Sequence, residues 1–280
     1  MNPQAKALLR SLLPPVLLAA WHRWHRADPV REPVRYKGDY ASWAEAQRDA
    51  EGYAAPVILE RTRAALSLVR DGQAASERDS VVLAQPEPPM AVLAALLRAA
   101  AERGGRLHVL DFGGSLGSTY YQCRSFLSPL VELRWSIVEL AALAACGRTE
   151  FADGHLAFYD SMEELLAGGA RPDVLLLSSV LPYLPDPHGF LTLALQHRFR
   201  SVVIDRTACW PGAHDRLTVQ KVPAWIYPAS YPAWFFNEAG LEAHFEPAYN
   251  MLASFHALDR PELSDALAWS RGYIYRLRHE

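Results

Sequence analysis

Between residues 105 and 205, short apolar runs alternate with stretches of helical length. The runs lie at His108–Asp111, Arg134–Glu139, His155–Tyr159, Val174–Ser178 and Ser201–Asp205. Each is too short for a helix, and the pattern predicts parallel strands buried on both faces with helices between them. Upstream the period is helical. Ser42 stands three residues before Glu45, the pattern of a capping box, so a helix starts there. A second runs from about Ala55 to Arg70 and ends near Asp71-Gly72. A third repeats Leu and Ala from Met90 to Arg103 and stops at Gly104-Gly105. Residues 27–40 hold Pro29 and Pro33 and read as a linker. In the tail, Tyr231–Ala243 reads as a helix, and His244–Asn250 and Tyr273–Arg278 read as strands. The expected organisation is a basic segment and linker (1–35), a helical cap (36–104) and an α/β domain (105–280). The expected fold is a Rossmann-like, seven-stranded, mostly parallel sheet with an antiparallel C-terminal edge.

Residues 1–26 carry Lys6, Arg10, Arg23 and Arg26 and no acid, with leucines and Trp21 and Trp24 between them. Such a segment could contact an anionic membrane surface peripherally, or form a helix packed on the domain or on a second subunit. No apolar run approaches the roughly 20 residues of a membrane span. The whole chain has a net charge of −3, which argues against a nucleic-acid partner. Cys123, Cys146 and Cys209 have no metal-like spacing, so free thiols in a reducing cytoplasm are expected and no metal site.

The chemistry gathers at the strand ends. Asp111 closes the first strand, and Gly113, Gly114 and Gly117 follow it with Ser115 between them. Glycines there let backbone approach a ligand closely. Glu139 ends the second strand, where a carboxylate can receive both hydroxyls of a ribose. Asp160 and Ser161 end the third. They suit either an adenine edge or the cap of a helix that opens with Glu163 and Glu164. Ser178 and Ser179 end the fourth. The glycine spacing fails the dinucleotide fingerprint, because Ser115 and Ser118 stand where it needs glycine, and there is no P-loop lysine. Gly113-Gly114-Ser115-Leu116-Gly117 does match a hydrolase nucleophile elbow, with Ser115 as nucleophile, Asp186 or Asp205 as acid and His214 or His256 as base.

The segments Asp111–Gly117 and Pro172–Pro187 resemble the first motif and the fourth-strand motif of class I S-adenosylmethionine (SAM)-dependent methyltransferases. Ser115 stands where those enzymes have their middle glycine. With Gly38–Trp43, Ile204–Thr207 and Tyr227–Asn237, the chain is similar to a bacterial family of methyltransferases linked to surface-polysaccharide gene clusters. The resemblance implies SAM as cofactor, methyl transfer as reaction and a small-molecule or glycan acceptor. A non-catalytic scaffold on the same fold is the remaining reading. On the acceptor side, His214 and His188 are candidate bases because histidine titrates near neutrality. Tyr183, Asp205 and Arg206 lie at the ends of the fourth and fifth strands. Arg206 either holds an anionic acceptor or pairs with Asp205 or Asp215.

Overall fold

A computed structural model describes residues 33–52 and 56–278. The basic segment 1–26, with its expected surface contact, lies outside the described residues. The main unit spans Val34–Glu280. Its centre is a seven-stranded sheet. In chain order the strands are β4 (Arg106–Phe112), β5 (Glu132–Val138), β6 (Leu156–Tyr159), β7 (Val174–Ser178), β8 (Ser201–Cys209), β11 (Tyr249–His256) and β12 (Trp269–Leu277). In space they run β11-β12-β8-β7-β4-β5-β6. The five from β4 to β8 are parallel, and β12 returns antiparallel to both β8 and β11. This is the sheet that the apolar runs predict. Among the described residues, no helix is long and apolar enough to cross a membrane.

Burial on both faces explains the unbroken apolar runs. Val109, Leu176 and Val203 pack on one face with Leu66 of α2 (Pro56–Arg70), Val92 and Leu96 of α3 (Met90–Glu102) and Cys123 of α4 (Ser118–Leu127). Leu110, Leu175, Leu177 and Ile204 alternate with them onto the other face. There they meet Leu165 of α6 (Met162–Ala167), Leu191 of α7 (Pro187–Ala194) and Leu241 of α8 (Glu238–Glu242). Helix α5 (Ala141–Glu150) lies between β5 and β6 in the chain. Helix α1 (Trp43–Arg48) starts as expected: Ser42 Oγ accepts from the Glu45 amide, and Glu45 accepts from the Ala41 amide.

The cap is not purely helical. Arg35–Lys37, inside the expected linker, is strand β1. Ser76–Arg78 and Val81–Leu83 form a hairpin, β2 and β3. Tyr231–Ala243 is not one helix either. Ala229–Phe235 is strand β10, and only Glu238–Glu242 is helical. Ala229, Tyr231, Ala233 and Phe235 are buried at a period of two, as a strand requires. Strand β10 pairs with β9 (Arg216–Val222), and β9 with β1, making a separate three-stranded antiparallel sheet. Pro232 is tolerated because β10 is an edge of that sheet. Helix α1 packs on this sheet through Ala46, Leu217 and Val219. The final strands also shift, to Tyr249–His256 and Trp269–Leu277.

Candidate active site

The chain leaves β4 with its two neighbours on opposite sides, β5 reached forward and β7 reached later. This is a topological switch point, and open α/β sheets bind ligands at the carboxyl ends of such strands. A cavity of ≈ 290 Å³ opens there. Its floor is the ends of β4, β7 and β8. Its walls are the β2–β3 hairpin, the three-stranded sheet and the β11–β12 connection.

At the end of β4, Asp111 is completely buried. Trp135 Nε1 donates to its Oδ2 at 3.0 Å, while Oδ1 has no hydrogen-bond partner among the described residues. Burial pushes its carboxyl up to about 7; the Trp135 bond opposes this and the Glu139 charge adds to it. The glycines are required by close packing. A Cβ on Gly114 would stand 2.5 Å from the Asp111 carboxyl carbon, and one on Gly113 2.4 Å from Val180. Gly113 is also left-handed, at φ +71°. The loop therefore lies directly on the carboxylate, with an oxygen left for a donor from outside the chain.

Glu139 lies beside this loop rather than on the cavity wall. Its Oε1 accepts from the Ser115 amide at 3.2 Å and its Oε2 from the Leu140 amide at 2.6 Å. Burial raises it to about 7, against those two bonds. Asp160 and Ser161 do not line the cavity. Asp160 is held by Arg148 at 3.1 Å, and Ser161 caps α6 through the Glu164 amide. Ser161 thus takes the helix-cap alternative, and the Asp160 side chain makes an ion pair instead.

A backbone feature unites the floor. Ser115, Ser179 and Arg206 have left-handed φ of 55°, 56° and 53°, and all three line the cavity. Left-handed non-glycine residues are costly and concentrate at functional sites. Their effect here is directional. Ile204 pairs with Tyr273 and Thr207 with Arg271, so Asp205 and Arg206 together face Gly272 in a β-bulge. In a regular strand these two side chains would point to opposite faces; here both line the cavity, as do Ser178 and Ser179.

Asp205 is buried and raised above the usual carboxylate range, chiefly by burial; Ser178 Oγ donates to it at 3.4 Å. Arg206 pairs with neither Asp205 nor Asp215. Its Nε bonds Asp259 at 2.7 Å and its Nη2 bonds Asp79. Tyr183 donates to Gln220 Oε1 at 2.9 Å, and Gln220 joins Tyr231 and Tyr227 in a chain of side-chain hydrogen bonds.

The two candidate histidine bases lie elsewhere. His214 is exposed in the bend before β9, with its carbonyl accepting from Trp210. His188 sits between Asp215 at 2.5 Å and His244 at 2.7 Å, outside the cavity. No histidine is among the described residues that line the cavity, so neither His214 nor His256 stands with Ser115 there. Among the described residues no group of side chains forms a metal site. Sequence reasoning missed Glu77 and Tyr36, and Gln220 of β9, which line the cavity. Glu77 is buried, accepts from Ser118 Oγ and the Ser80 amide at 2.6 Å each, and is raised by burial. Nothing in the local spacing pointed to these three.

The sequence matches no protein-family model and no curated protein. Solved structures similar to it include the N-terminal domain of EvdMO1 in the presence of SAH and D-fucose. That domain is 16% identical at a TM-score of 0.48, over 78% of this chain and 96% of that one. The 1,6-didemethyltoxoflavin-N1-methyltransferase of Burkholderia thailandensis is 18% identical at 0.42, over 91% and 99%. The magnesium protoporphyrin IX methyltransferase of Synechocystis PCC 6803, with bound SAM, is 12% identical at 0.45, over 78% and 84%. These likenesses are too distant to assign residues. The fold stands on its strand order and the site on its own side chains.

Proposed function

We propose that the chain is a SAM-dependent methyltransferase acting on a small polar acceptor, with a saccharide as the class its sequence resemblance favours. The observation that carries this reading is the glycine turn laid over Asp111, whose buried Oδ1 lacks a donor among the described residues, at the floor of the cavity. The residues fit the cofactor. Asp111 Oδ1 and the 113–118 loop suit the ammonium end, and a carboxylate raised by burial gains from a nearby cation. Glu139 does not face the cavity; in this reading it acts on the cofactor site by holding the Ser115 and Leu140 amides of the loop. When bound, SAM supplies an activated methyl group on a sulfonium.

The chain's own residues supply the rest. The cap encloses the acceptor and excludes water, and the strand ends hold it in register, from which much of the rate of such a transfer comes. Asp205 is the base in this reading. It faces the cavity, and its raised proton affinity brings it closer to the operating pH than an ordinary carboxylate. The basic segment 1–26 would bring the enzyme to the anionic inner face of a membrane, with the catalytic unit in the cytoplasm.

Calorimetry with SAM and with its demethylated product tests the cofactor reading. Binding that Asp111→Ala and Glu139→Ala abolish supports it; no binding at saturating concentration refutes it. Turnover of labelled SAM with pooled saccharides then separates an enzyme from a scaffold, which would bind SAM and transfer nothing.

A further inference from the structure

The charged groups around the cavity are unequal. Among the described residues, five carboxylates line it (Glu77, Asp79, Asp111, Asp205 and Asp259) against three guanidiniums (Arg78, Arg206 and Arg260). Arg78 is engaged by Glu87 at 3.2 Å, and Arg260 is exposed at the rim. Among the described residues, Arg206 is the cation set deep in the wall, its side chain 16% exposed. It is clasped by a carboxylate on each side, one from the β2–β3 turn and one from the β11–β12 connection. Its Nε and Nη2 are thus engaged by the chain itself, and an incoming carboxylate or phosphate would meet a guanidinium whose charge two carboxylates already neutralise. The opposite wall is uncharged. Tyr183, Tyr227 and Tyr231 present hydroxyls linked through the Gln220 amide, and Tyr36 stands beside them, so this wall both donates and accepts.

We propose that the acceptor subsite selects an uncharged, hydroxyl-bearing ligand and rejects anionic ones, with Asp79 and Asp259 acting as specificity determinants that neutralise Arg206. This rests on the methyltransferase reading for the identity of the site and adds the charge class of its acceptor. The two carboxylates come from segments far apart in the chain, the β2–β3 turn and the β11–β12 connection. A negative group placed inside would lie among carboxylates already raised by burial.

The test is ligand-observed saturation-transfer NMR on the full chain loaded with S-adenosylhomocysteine. The probes are methyl glucoside, glucuronate, glucosamine and inorganic phosphate at equal millimolar concentration. Methyl glucoside should give the signal in the wild type, and glucuronate and phosphate none. Tyr231→Phe should weaken methyl glucoside about threefold to tenfold, the loss expected for one hydrogen bond. Asp259→Asn, and separately Asp79→Asn, should admit glucuronate with a gain of about tenfold by removing one of the two negative charges that neutralise Arg206. Glucuronate or phosphate binding to the wild type, a signal confined to glucosamine, or no signal from methyl glucoside would overturn the proposal. Calorimetry of S-adenosylhomocysteine on the same samples reads the cofactor site alone. A chain that fails there refutes the methyltransferase reading, whereas one that binds it and takes anions refutes only the acceptor class.

Discussion

Asp111→Asn should stabilise the ligand-free protein while removing cofactor binding. The carboxyl is held at about 7 in the folded chain, against 3.8 as its ordinary value. The folded state therefore keeps a proton that the unfolded chain has already released across this interval. Stability then falls as pH rises from about 4 to about 7 and stays low above it. A gap of about three pH units at 1.36 kcal/mol each puts the upper limit of the cost near 4 kcal/mol. Relaxation around the charge and the retained desolvation of an amide reduce this to about 2 kcal/mol. Asparagine keeps an acceptor for Trp135 Nε1, so little is lost in exchange. For a domain of this size the gain corresponds to a Tm higher by about 4–8 °C. Thermal unfolding by circular dichroism checks it: the variant should exceed the wild type at about pH 8.5 and approach it near pH 4. A variant less stable than the wild type at every pH would refute the assignment of Asp111 as a buried, strained carboxylate. Trading stability for a binding site in this way is a common feature of functional positions.

Other changes separate the parts of the site. Gly113→Ala should destabilise by about 1–3 kcal/mol, because the new Cβ meets Val180 and the backbone is left-handed; urea unfolding measures it. Ser115→Gly should leave SAM affinity intact and add up to about 1 kcal/mol, since Glu139 is bound by the backbone amide, not by the hydroxyl. Loss of binding in calorimetry would contradict that. His214→Ala should leave SAM binding and transfer unchanged, as its side chain lies outside the cavity; a large fall in kcat would restore it as a base. His188 is raised above 6.5 by its bond to Asp215, so its contribution should be fully present below pH 6.5 and fade as pH rises through its folded value. The stability gap between wild type and His188→Gln, followed by thermal unfolding, should therefore narrow with rising pH. A gap that widens would count against the pairing.

The central sheet was legible because burial on both faces leaves a one-dimensional mark: continuous apolar runs at Val174–Leu177 and Val202–Ile204, closed by Ser178 and Asp205. Asp111 and the glycines were legible for a similar reason, since a strand end followed by residues without Cβ is a local event. The reading failed where a side chain's role depends on what the chain brings back from far away. Tyr231–Phe235 is a strand and not part of a helix because β9 pairs with it, a partner that local spacing does not show. His188 and His214 carry suitable chemistry, yet their elements point them away from the cavity. Arg206 and Asp205 share one wall only because Arg206 adopts a left-handed backbone in a bulge opposite Gly272, a conformation that no local pattern announces for arginine. Its two carboxylate partners lie 127 and 53 residues away in the chain. Composition and periodicity thus determined the layers and the end of the sheet at which chemistry sits. Which side chains meet there, and with what net charge, was decided by long-range pairing that no local spacing encodes.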